Sequence, residues 1–470
     1  MIMQDMGTST AFAQVPKVFL FFSMRLNKER FVKLTAIGLL NTLAIMLVSY
    51  GDWDYIESYY HSWQQLQQQN TDGKRNSIQI KTILFWNGPR RSEMTIFGTG
   101  HDAFVQHGCP VSDCEIVNSP YQYPDRPLDS YDAILFNFND EFWLSKRPEY
   151  QRRPHQRFVF FTQEPPPSIE PMNIAGYTNY FNWTMTYRRD SDILLLYGRI
   201  RPKPSAPTTS EEIQARIRET RTKFNCDRIE VDDNKTTGTA SAICNEKTKK
   251  KKSLVAAMIS HCTTDGRREH YIKRLKKHVK VDVYGFCDED DLGSGLRCEP
   301  HELLTSTPEC YDMLESNYKF YLSFENAICS DYVTEKFFNI MSLRNIVPVV
   351  YGGADYAQLA PEHSYIDALE FEPDQLADYL KMLDANDTLY NEYLWWKDDY
   401  VVESDLQDMV NHGFCDLCQK LHADEGRIKY YPSLLPKWHP GRCFRPHYKS
   451  NSNSSRRRLV KKSPLRDRLT

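Results

Sequence analysis

A cluster of polar side chains follows one predicted strand in the second half of the sequence. The strand is the apolar run 320–324, and a helix is expected to begin near Thr334. Around this junction lie Glu325, Asn326, Tyr332, Glu335 and Lys336. A lysine in a first helical turn opposes the helix dipole, and it therefore indicates a nearby anion such as a diphosphate. A solvent-exposed helix start is the alternative interpretation of Glu335 and Lys336.

Two Asp-x-Asp patterns form a second candidate site, because one class of nucleotide-sugar enzymes uses this pattern to hold Mn²⁺. They are Asp190-Ser-Asp192 and Asp288-Glu-Asp290. The pattern is short and occurs readily by chance. A metal-dependent transferase is therefore an alternative interpretation of the sequence and not the preferred one. The sequence contains no G-x-x-x-x-G-K-[ST] loop, which argues against a sulfotransferase that cradles phosphate in such a loop.

The elements that must position these residues come in two series. Short apolar runs bounded by turn residues predict buried strands at 83–86, 133–136 and 158–161 in the first series. The second series has predicted strands at 254–259, 281–284, 320–324 and 346–351, with helices at 267–279 and 334–343. Alternating strands and helices predict parallel sheets, whose ligands bind beyond the carboxyl ends of the strands. We therefore expect a two-domain α/β protein with a cleft between the domains.

The N-terminal region contains a candidate membrane anchor. The apolar run 34–50 is at the lower end of the length that spans a bilayer. Basic residues precede it and acidic residues follow it, which predicts a cytosolic N-terminus and a lumenal remainder. A cleaved signal peptide is the alternative, although no clear small-x-small cleavage site follows the run.

Other features indicate the secretory pathway. The chain has 12 cysteines, an even number that suits an oxidising compartment. Four glycosylation sequons occur, at Asn182, Asn234, Asn386 and Asn453. The formal net charge of −3 gives no reason to expect a nucleic-acid partner. The basic stretches at 249–252 and 456–468 are interpreted as solvated surface.

The segment 320–356, FYLSFENAICSDYVTEKFFNIMSLRNIVPVVYGGADY, resembles the signature of the α1,3-fucosyltransferases. The matching string is F-x-x-x-F-E-N, then D-Y-[IV]-T-E-K, then V-P-V-V. The blocks RPHQRFVFFTQEPP and YFNWTMTYRRDSDI, and the strands VAAMIS and VDVYG, are also similar to blocks of that family. The resemblance covers about 81–422. It implies two Rossmann-like domains facing across a cleft (GT-B type), GDP-fucose as donor, inversion at the sugar, and neither a cofactor nor a catalytic metal.

The resemblance also implies roles for individual residues. Glu164 matches the base that takes the proton of the acceptor hydroxyl. Arg268 and Lys336 match the cations that bind the leaving diphosphate. The positions matching contacts to the nucleotide sugar are Ser260, Tyr284, Asn326, Tyr332 and Glu335. Arg188 and Arg189 match family residues that either hold the fold or contact substrate.

Two features need separate treatment. After Ser260 the family commonly has asparagine, whereas this chain has His261 and Cys262, so the details of the nucleotide site are open there. Cys415 and Cys418 form a single CxxC, which supplies only half of a four-ligand zinc site. The family carries a C-terminal cysteine pair with similar spacing, so a structural disulfide role is expected, with partners left open.

The predicted organisation follows from these elements. The ranges are a cytoplasmic tail 1–33, a transmembrane signal anchor 34–50, a stem 51–77, an acceptor-side domain 78–205, a charged linker 206–252, a GDP-fucose-binding domain 253–422 and a C-terminal extension 423–470. A single-pass type II protein of the Golgi membrane with a lumenal catalytic domain is expected.

The acceptor is the least determined part of the prediction. VPVVYGGADY followed by APEHSYI is more similar to the invertebrate and plant enzymes that fucosylate the innermost N-acetylglucosamine of N-glycans. A Lewis-type enzyme acting on antennal N-acetyllactosamine is the alternative. A non-catalytic glycan-binding membrane protein is a more distant one, because it would be expected to have lost Glu164, Arg268 or Lys336.

Overall fold

The structure is a computed structural model that describes residues 79–87, 97–138, 150–169, 174–223, 251, 253–285, 287, 308–424, 426 and 428–446. The predicted anchor 34–50, Asn234, Asn453 and the pattern 288–290 lie outside these residues. None of the helices in the described ranges is both long enough and apolar enough to cross a membrane.

The first sheet has six parallel strands. They are β1 (Lys81–Phe85), β2 (Cys114–Val117), β3 (Ala133–Asn137), β4 (Arg157–Thr162), β5 (Trp183–Thr186) and β6 (Ile193–Leu194), in the order β2-β1-β3-β4-β5-β6. A short helix α1 (Asp102–Gln106) precedes β2. The strands predicted at 83–86, 133–136 and 158–161 are confirmed as β1, β3 and β4, apart from a residue or two at each end.

The second sheet has five parallel strands. They are β8 (Ser253–Met258), β9 (Val281–Tyr284), β10 (Tyr318–Phe324), β12 (Val347–Tyr351) and β13 (Ile366–Asp367), in the order β13-β12-β10-β8-β9. The helices of this half are α3 (Arg268–Leu275), α4 (Pro308–Asn317), α5 (Glu335–Ser342), α6 (Pro373–Asp384) and α7 (Asp387–Asn391). Parallel order with helical crossovers is the α/β arrangement that the alternating pattern predicted.

Short pieces connect the two halves. β7 (Arg199–Pro202) pairs antiparallel with β14 (Tyr400–Glu403), and β11 (Ile328–Cys329) pairs antiparallel with β15 (Cys443–Phe444). The 3₁₀ helices are Leu128–Ser130, Pro166–Ile169, Ile174–Gly176, Tyr356–Gln358, Ala368–Glu370, Glu392–Asp398 and Pro440–Arg442. The helix α2 (Ser210–Lys223), in the predicted linker, packs against the second half, where Arg221 forms an ion pair with Glu392 at 2.5 Å.

The C-terminal helices depart from the predicted boundary at 422. Helix α8 (Leu406–Ala423) buries Val410, Phe414 and Leu417 in the same core cluster as strands of the first sheet. A helix α9 (Leu435–Trp438) likewise buries Trp438 against Phe160 of β4. These apolar faces pack against the first sheet although they follow the second sheet in the chain, a long-range pairing that local patterns do not reveal.

Candidate active site

Arg268 is the first residue of α3, and its side chain lies beneath the carboxyl edge of the second sheet. Its Nη1 donates to the carbonyl of Phe324 at 2.7 Å, and its Nη2 donates to the carbonyl of His261 at 3.3 Å. The side chain is buried, and its Nε has no hydrogen-bond partner. Burial lowers the pKa of Arg268, although the charge of Glu325 acts in the opposite direction. The guanidinium is thus a cation held by two backbone carbonyls, and its Nε–H is left for a ligand.

Lys336 lies in the first turn of α5, as the sequence predicted, and carboxylates surround it. Its Nζ is 2.9 Å from Glu335 Oε1 and 3.7 Å from Glu325 Oε2, and it donates to Thr334 Oγ1 at 2.9 Å. Burial lowers the pKa of Lys336, but the carboxylates of Glu335 and Glu325 outweigh burial, so the pKa is raised overall. The helix dipole is therefore offset by these acidic groups in the structure.

Glu325 follows β10 directly and is fully buried. Its Oε1 accepts from the backbone N–H of Thr334 at 2.8 Å, and its Oε2 accepts from Thr334 Oγ1 at 2.9 Å. Burial raises the pKa of Glu325, while Lys336 and the Thr334 donors lower it. The carboxylate joins the end of β10 to the start of α5, and it fixes the residue that caps the helix.

Asn326 presents an unpaired group at the same edge. Its carbonyl accepts from the N–H of Gly266 at 2.7 Å, but its buried Oδ1 has no hydrogen-bond partner. A Cβ on Gly266 would lie 3.1 Å from that carbonyl, so the backbone approaches closely here. The orphaned amide oxygen of Asn326, on the loop after β10, and the unpaired Nε of Arg268, which is bonded to the Phe324 carbonyl at the end of the same strand, indicate a polar ligand at this edge of the sheet.

Two other predicted contacts, Ser260 and Tyr284, lie in different surroundings from each other. Ser260 is exposed in the loop after β8, where a ligand can reach it. The hydroxyl of Tyr284 lies 2.7 Å from that of Tyr318, which in turn donates to Asp282 Oδ2 at 2.9 Å. Tyr284 also contacts Met313 of α4, and its side chain is buried. Its hydroxyl is therefore engaged in the core beneath α4 and is not brought to the cluster around Arg268.

Glu164, the predicted base, lies just beyond the carboxyl end of β4 in the first sheet. It lies two residues beyond β4, is partly exposed, and its backbone N–H donates to Thr162 Oγ1 at 3.0 Å. Pro165 and Pro166 follow, and the hydroxyl of Tyr197 donates to the preceding carbonyl of Gln163 at 3.0 Å. The loop that carries the predicted base is thus held from both sides.

Tyr332 connects the two halves of the candidate site. Its ring lies 5.0 Å from the ring of Tyr187 and 6.3 Å from that of Tyr197, both in the first half of the chain. Burial raises the pKa of Tyr332 well above its ordinary value, and Tyr197, Glu164 and Glu325 add to the rise. The charges of Glu164 and Glu325 therefore act on one hydroxyl. The sequence analysis missed Tyr187 and Tyr197; the only available signal was that Tyr187 precedes Arg188 and Arg189.

The two arginines have different partners. Arg188 pairs with Asp190 at 3.0 Å within the first half of the chain. Arg189 donates to Gln358 of the second half at 2.6 Å, and its backbone N–H donates to Asp331 at 3.3 Å. The acids of the Asp190-Ser-Asp192 pattern are also engaged, by Lys437 at 3.0 Å and Lys429 at 2.6 Å. Lysine-paired carboxylates are the pattern of structural ion pairs rather than of a vacant metal site.

Disulfides stabilise the loops of the site. Cys262 is bonded to Cys287, which joins the loops after β8 and β9, and Cys329 is bonded to Cys443. The carbonyl of His261 accepts from Arg268, so the residues that depart from the family pattern support the predicted phosphate ligand.

Among the described residues, the grouping of Cys114, Cys418 and His422 has the spacing of a metal site. Its two sulfurs are in disulfides and supply no thiolate.

The predicted CxxC cysteines bond to different partners. Cys415 pairs with Cys109 and Cys418 pairs with Cys114, so both tie α8 to the first sheet. A redox pair within the CxxC is thereby excluded from the folded arrangement.

The two described sequons differ in accessibility. Asn182 is fully buried, its Oδ1 accepts from the N–H of Phe158 at 2.9 Å, and its Nδ2 donates to the carbonyl of Lys429 at 2.9 Å. The structure leaves no room for a glycan there, which argues against that predicted site. Asn386 is exposed at the N-cap of α7 and stays a predicted glycosylation site.

Family models match most of the described chain. Residues 79–198 match the model described as fucosyltransferase, N-terminal, and residues 248–438 match glycosyltransferase family 10 (fucosyltransferase) C-term. Alpha-(1,3)-fucosyltransferase C of Drosophila melanogaster is 36% identical over 365 residues, which cover 76% of this chain and 77% of that protein.

Two further relatives are informative. Glycoprotein 3-alpha-L-fucosyltransferase A of Drosophila melanogaster is 30% identical over 80% of this chain, and the match spans 63% of that longer protein. The Bos taurus 3-galactosyl-N-acetylglucosaminide 4-alpha-L-fucosyltransferase FUT3 is 31% identical over 78% of this chain and 84% of that protein.

Proposed function

The chain belongs to glycosyltransferase family 10, the fucosyltransferases, and is a glycosyltransferase, and we propose that it transfers fucose from GDP-fucose to the O3 of an N-acetylglucosamine. The observation that carries this proposal is the meeting of the two half-sites at Tyr332. Tyr332 contacts the rings of Tyr187 and Tyr197 in the first half of the chain, whereas the cations Arg268 and Lys336 lie near Glu325 at the end of β10.

The diphosphate of the donor is bound by Arg268 and Lys336 in this proposal. Arg268 already has two N–H groups fixed by backbone carbonyls, so its free Nε is preorganised toward a phosphate oxygen. Lys336 exchanges part of its pairing with Glu335 for the phosphate, because a diphosphate carries more charge than one carboxylate. In this proposal Asn326 Oδ1, which has no partner within the protein, accepts from a donor group of the nucleotide sugar, and Ser260, Tyr332 and Glu335 supply further contacts.

The reaction is a single displacement. The acceptor O3 attacks the fucose anomeric carbon from the face opposite GDP, the C1–O bond to the diphosphate breaks, and its electron pair leaves with GDP. Glu164 takes the proton from O3 as the new bond forms. Its carboxylate is partly exposed, as a base that must meet an incoming glycan requires. No catalytic metal or cofactor is part of this proposal.

The acceptor proposed is the innermost N-acetylglucosamine of an N-glycan. The support is the string VPVVYGGADY followed by APEHSYI and the relation to a glycoprotein 3-alpha-L-fucosyltransferase. The alternative is antennal N-acetyllactosamine, and the relation to the bovine enzyme favours it.

For location we propose the Golgi membrane with a lumenal catalytic part, from the charge pattern around 34–50 and the four disulfides of the described residues.

The test is a transfer assay with the full chain in detergent. GDP-fucose is offered with a core N-glycopeptide and, separately, with N-acetyllactosamine, each with and without EDTA. We expect product on the core glycopeptide that excess EDTA does not reduce. Product on N-acetyllactosamine alone would retain the reaction and overturn the acceptor, whereas activity abolished by EDTA and restored by Mn²⁺ would overturn the metal-free mechanism. No transfer to either acceptor would contradict the proposed function.

A further inference from the structure

Arg189 extends from the first half of the chain to two loops of the second half. It lies three residues after β5, next to Tyr187 and Arg188. Its Nη1 donates to Gln358 Oε1 at 2.6 Å, its Nη2 donates to the Gln358 carbonyl at 3.0 Å, and its backbone N–H donates to Asp331 Oδ2 at 3.3 Å. One residue therefore contacts two loops of the second half, those that follow β11 and β12.

The loop that contains Asp331 carries a residue of the candidate site. Asp331 has a φ of 63°, a left-handed conformation that costs energy for a non-glycine residue, and Tyr332 follows it directly. The loop is fixed on one side by the disulfide of Cys329 and on the other by Thr334, which binds Glu325. Between these points Arg189 supplies a directional attachment from the first half of the chain, next to the ring contacts of Tyr187 and Tyr197 with Tyr332.

Apolar packing is incomplete beside this contact. Tyr187, Tyr197, Val333, Phe338 and Leu359 line a cavity of about 240 Å³, with Arg189, Asp331 and Gln358 at its polar part. A cavity of this size means that facing side chains do not close up against one another there. The directional hydrogen bonds of Arg189 therefore have more influence on the relative position of the loops than they would in a filled interface.

We propose that Arg189 is a positioning residue that sets Glu164 relative to the donor by holding the Asp331–Tyr332 loop and Gln358 across the cleft. This inference rests on the proposed function for its catalytic consequence. Arg189 touches neither donor nor acceptor in this proposal. Its loss lowers the rate of transfer but leaves GDP affinity nearly unchanged, because the groups assigned to the diphosphate, Arg268 and Lys336, keep their own partners.

The experiment compares R189A, R189K, Q358A and the double variant R189A/Q358A with the unchanged full chain. R201A is the control, because Arg201 pairs with Glu403 on the exposed β7–β14 ribbon. We expect kcat of R189A to fall about 10- to 100-fold, since small misplacements of reacting groups have effects of that size, with the Kd for GDP changed less than about twofold. We expect kcat of R189K to lie between that of R189A and that of the unchanged chain, because lysine retains one donor group. The double variant is no slower than R189A, because both changes remove one interaction.

Amide hydrogen exchange of residues 330–333 gives a readout independent of activity. We expect faster exchange in R189A and unchanged exchange in R201A. Unchanged exchange in R189A, or multiplicative kcat losses in the double variant, would overturn the positioning role. So would equal losses of GDP affinity and kcat. If the unchanged protein transfers no fucose, the proposed function fails, and the exchange measurement alone then decides whether Arg189 holds the loop.

Discussion

The carboxylate of Glu325 lies 3.7 Å from the ammonium of Lys336, and Glu325 is fully buried. Burying an ion pair is costly unless further hydrogen bonds satisfy its oxygens, and the two donors of Thr334 do so here. Arg268 lies close enough for the same carboxylate to affect its pKa. Two cations are thereby held in place by protein groups, which is the preorganisation that the proposed diphosphate site requires.

Replacement of Lys336 tests this site directly. We expect K336A to weaken GDP binding and to lower kcat/KM for GDP-fucose by about 10-fold or more, because it removes a charge-assisted contact to the leaving group. Isothermal titration with GDP and initial-rate kinetics measure the two effects. K381A is the matched control, since Lys381 is an exposed helical lysine paired with Asp378. GDP affinity equal to that of the control would remove Lys336 from the phosphate site.

Replacement of Glu164 separates the base from the donor site. E164Q keeps the shape of the side chain and removes its ability to accept a proton, so we expect transfer to fall by about 10²- to 10⁴-fold. GDP affinity should stay within about twofold, because E164Q leaves the residues assigned to the diphosphate, Arg268 and Lys336, unchanged. E211Q, in the exposed first turn of α2, controls for loss of a carboxylate. Undiminished turnover in E164Q would show that another group is the base.

Local patterns were sufficient to predict seven of the 11 strands in the two described sheets and the polar residues after β10, but not β2, β5, β6 and β13. They were not sufficient for Tyr284. Along β9, Val281 and Val283 point into one core cluster and Tyr284 into another, as the period of two in a strand requires. The family match identified the position, but the partners of its hydroxyl come from α4 and β10, which are distant in the sequence.

The contacts between the two halves were also beyond sequence reasoning. The edge-to-face contact of Tyr187 with Tyr332 joins residues that are far apart in the chain, and neither residue's type or spacing indicates its partner. The same holds for the return of α8 to the first sheet, which two disulfides with sequence separations of 306 and 304 residues secure. Such pairings are decided by the shapes of surfaces that form only after each sheet has folded.

Removing both of these disulfides should lower the free energy of unfolding by more than the sum of the losses from removing each one alone. While Cys114–Cys418 is intact, breaking Cys109–Cys415 releases only a short loop, and the chain-entropy estimate gives a loss of about 2 to 3 kcal/mol. Breaking the remaining disulfide as well releases a loop of some 300 residues. This second step lowers the free energy of unfolding by a further amount of about 5 to 6 kcal/mol. We expect the double-pair serine variant to be destabilised more than the sum of the two single-pair variants. Urea unfolding measures this, and simple additivity would contradict the argument.

The accessibility of the sequons predicts which of the two described sites carries a glycan. Asn386 is exposed and Asn182 is buried with both polar atoms bonded. We expect N386Q to reduce the mass of the secretory-pathway protein by one glycan, and N182Q to leave glycan mass unchanged while lowering stability by about 1 to 3 kcal/mol, because it disturbs two buried hydrogen bonds. Intact mass before and after glycosidase treatment distinguishes the cases. A glycan mapped to Asn182 would refute the assignment.

Asp367, at the carboxyl end of β13, provides a pH-dependent test of the structure. Burial raises its pKa from 3.8 to about 6, although its Oδ1 accepts from the N–H of Leu369 at 2.9 Å. The native state therefore holds the proton more tightly than the unfolded chain, so this group's contribution is fully present below pH 4 and is lost as the pH rises through about 6. D367N keeps the acceptor and removes the charge. We expect it to raise the free energy of unfolding by about 1 to 2 kcal/mol at pH 7.5, after allowance for partial exposure, and by nothing at pH 4. Unfolding in urea at both pH values measures the difference, and a gain of equal size at pH 4 would show that the charge of Asp367 is not its cause.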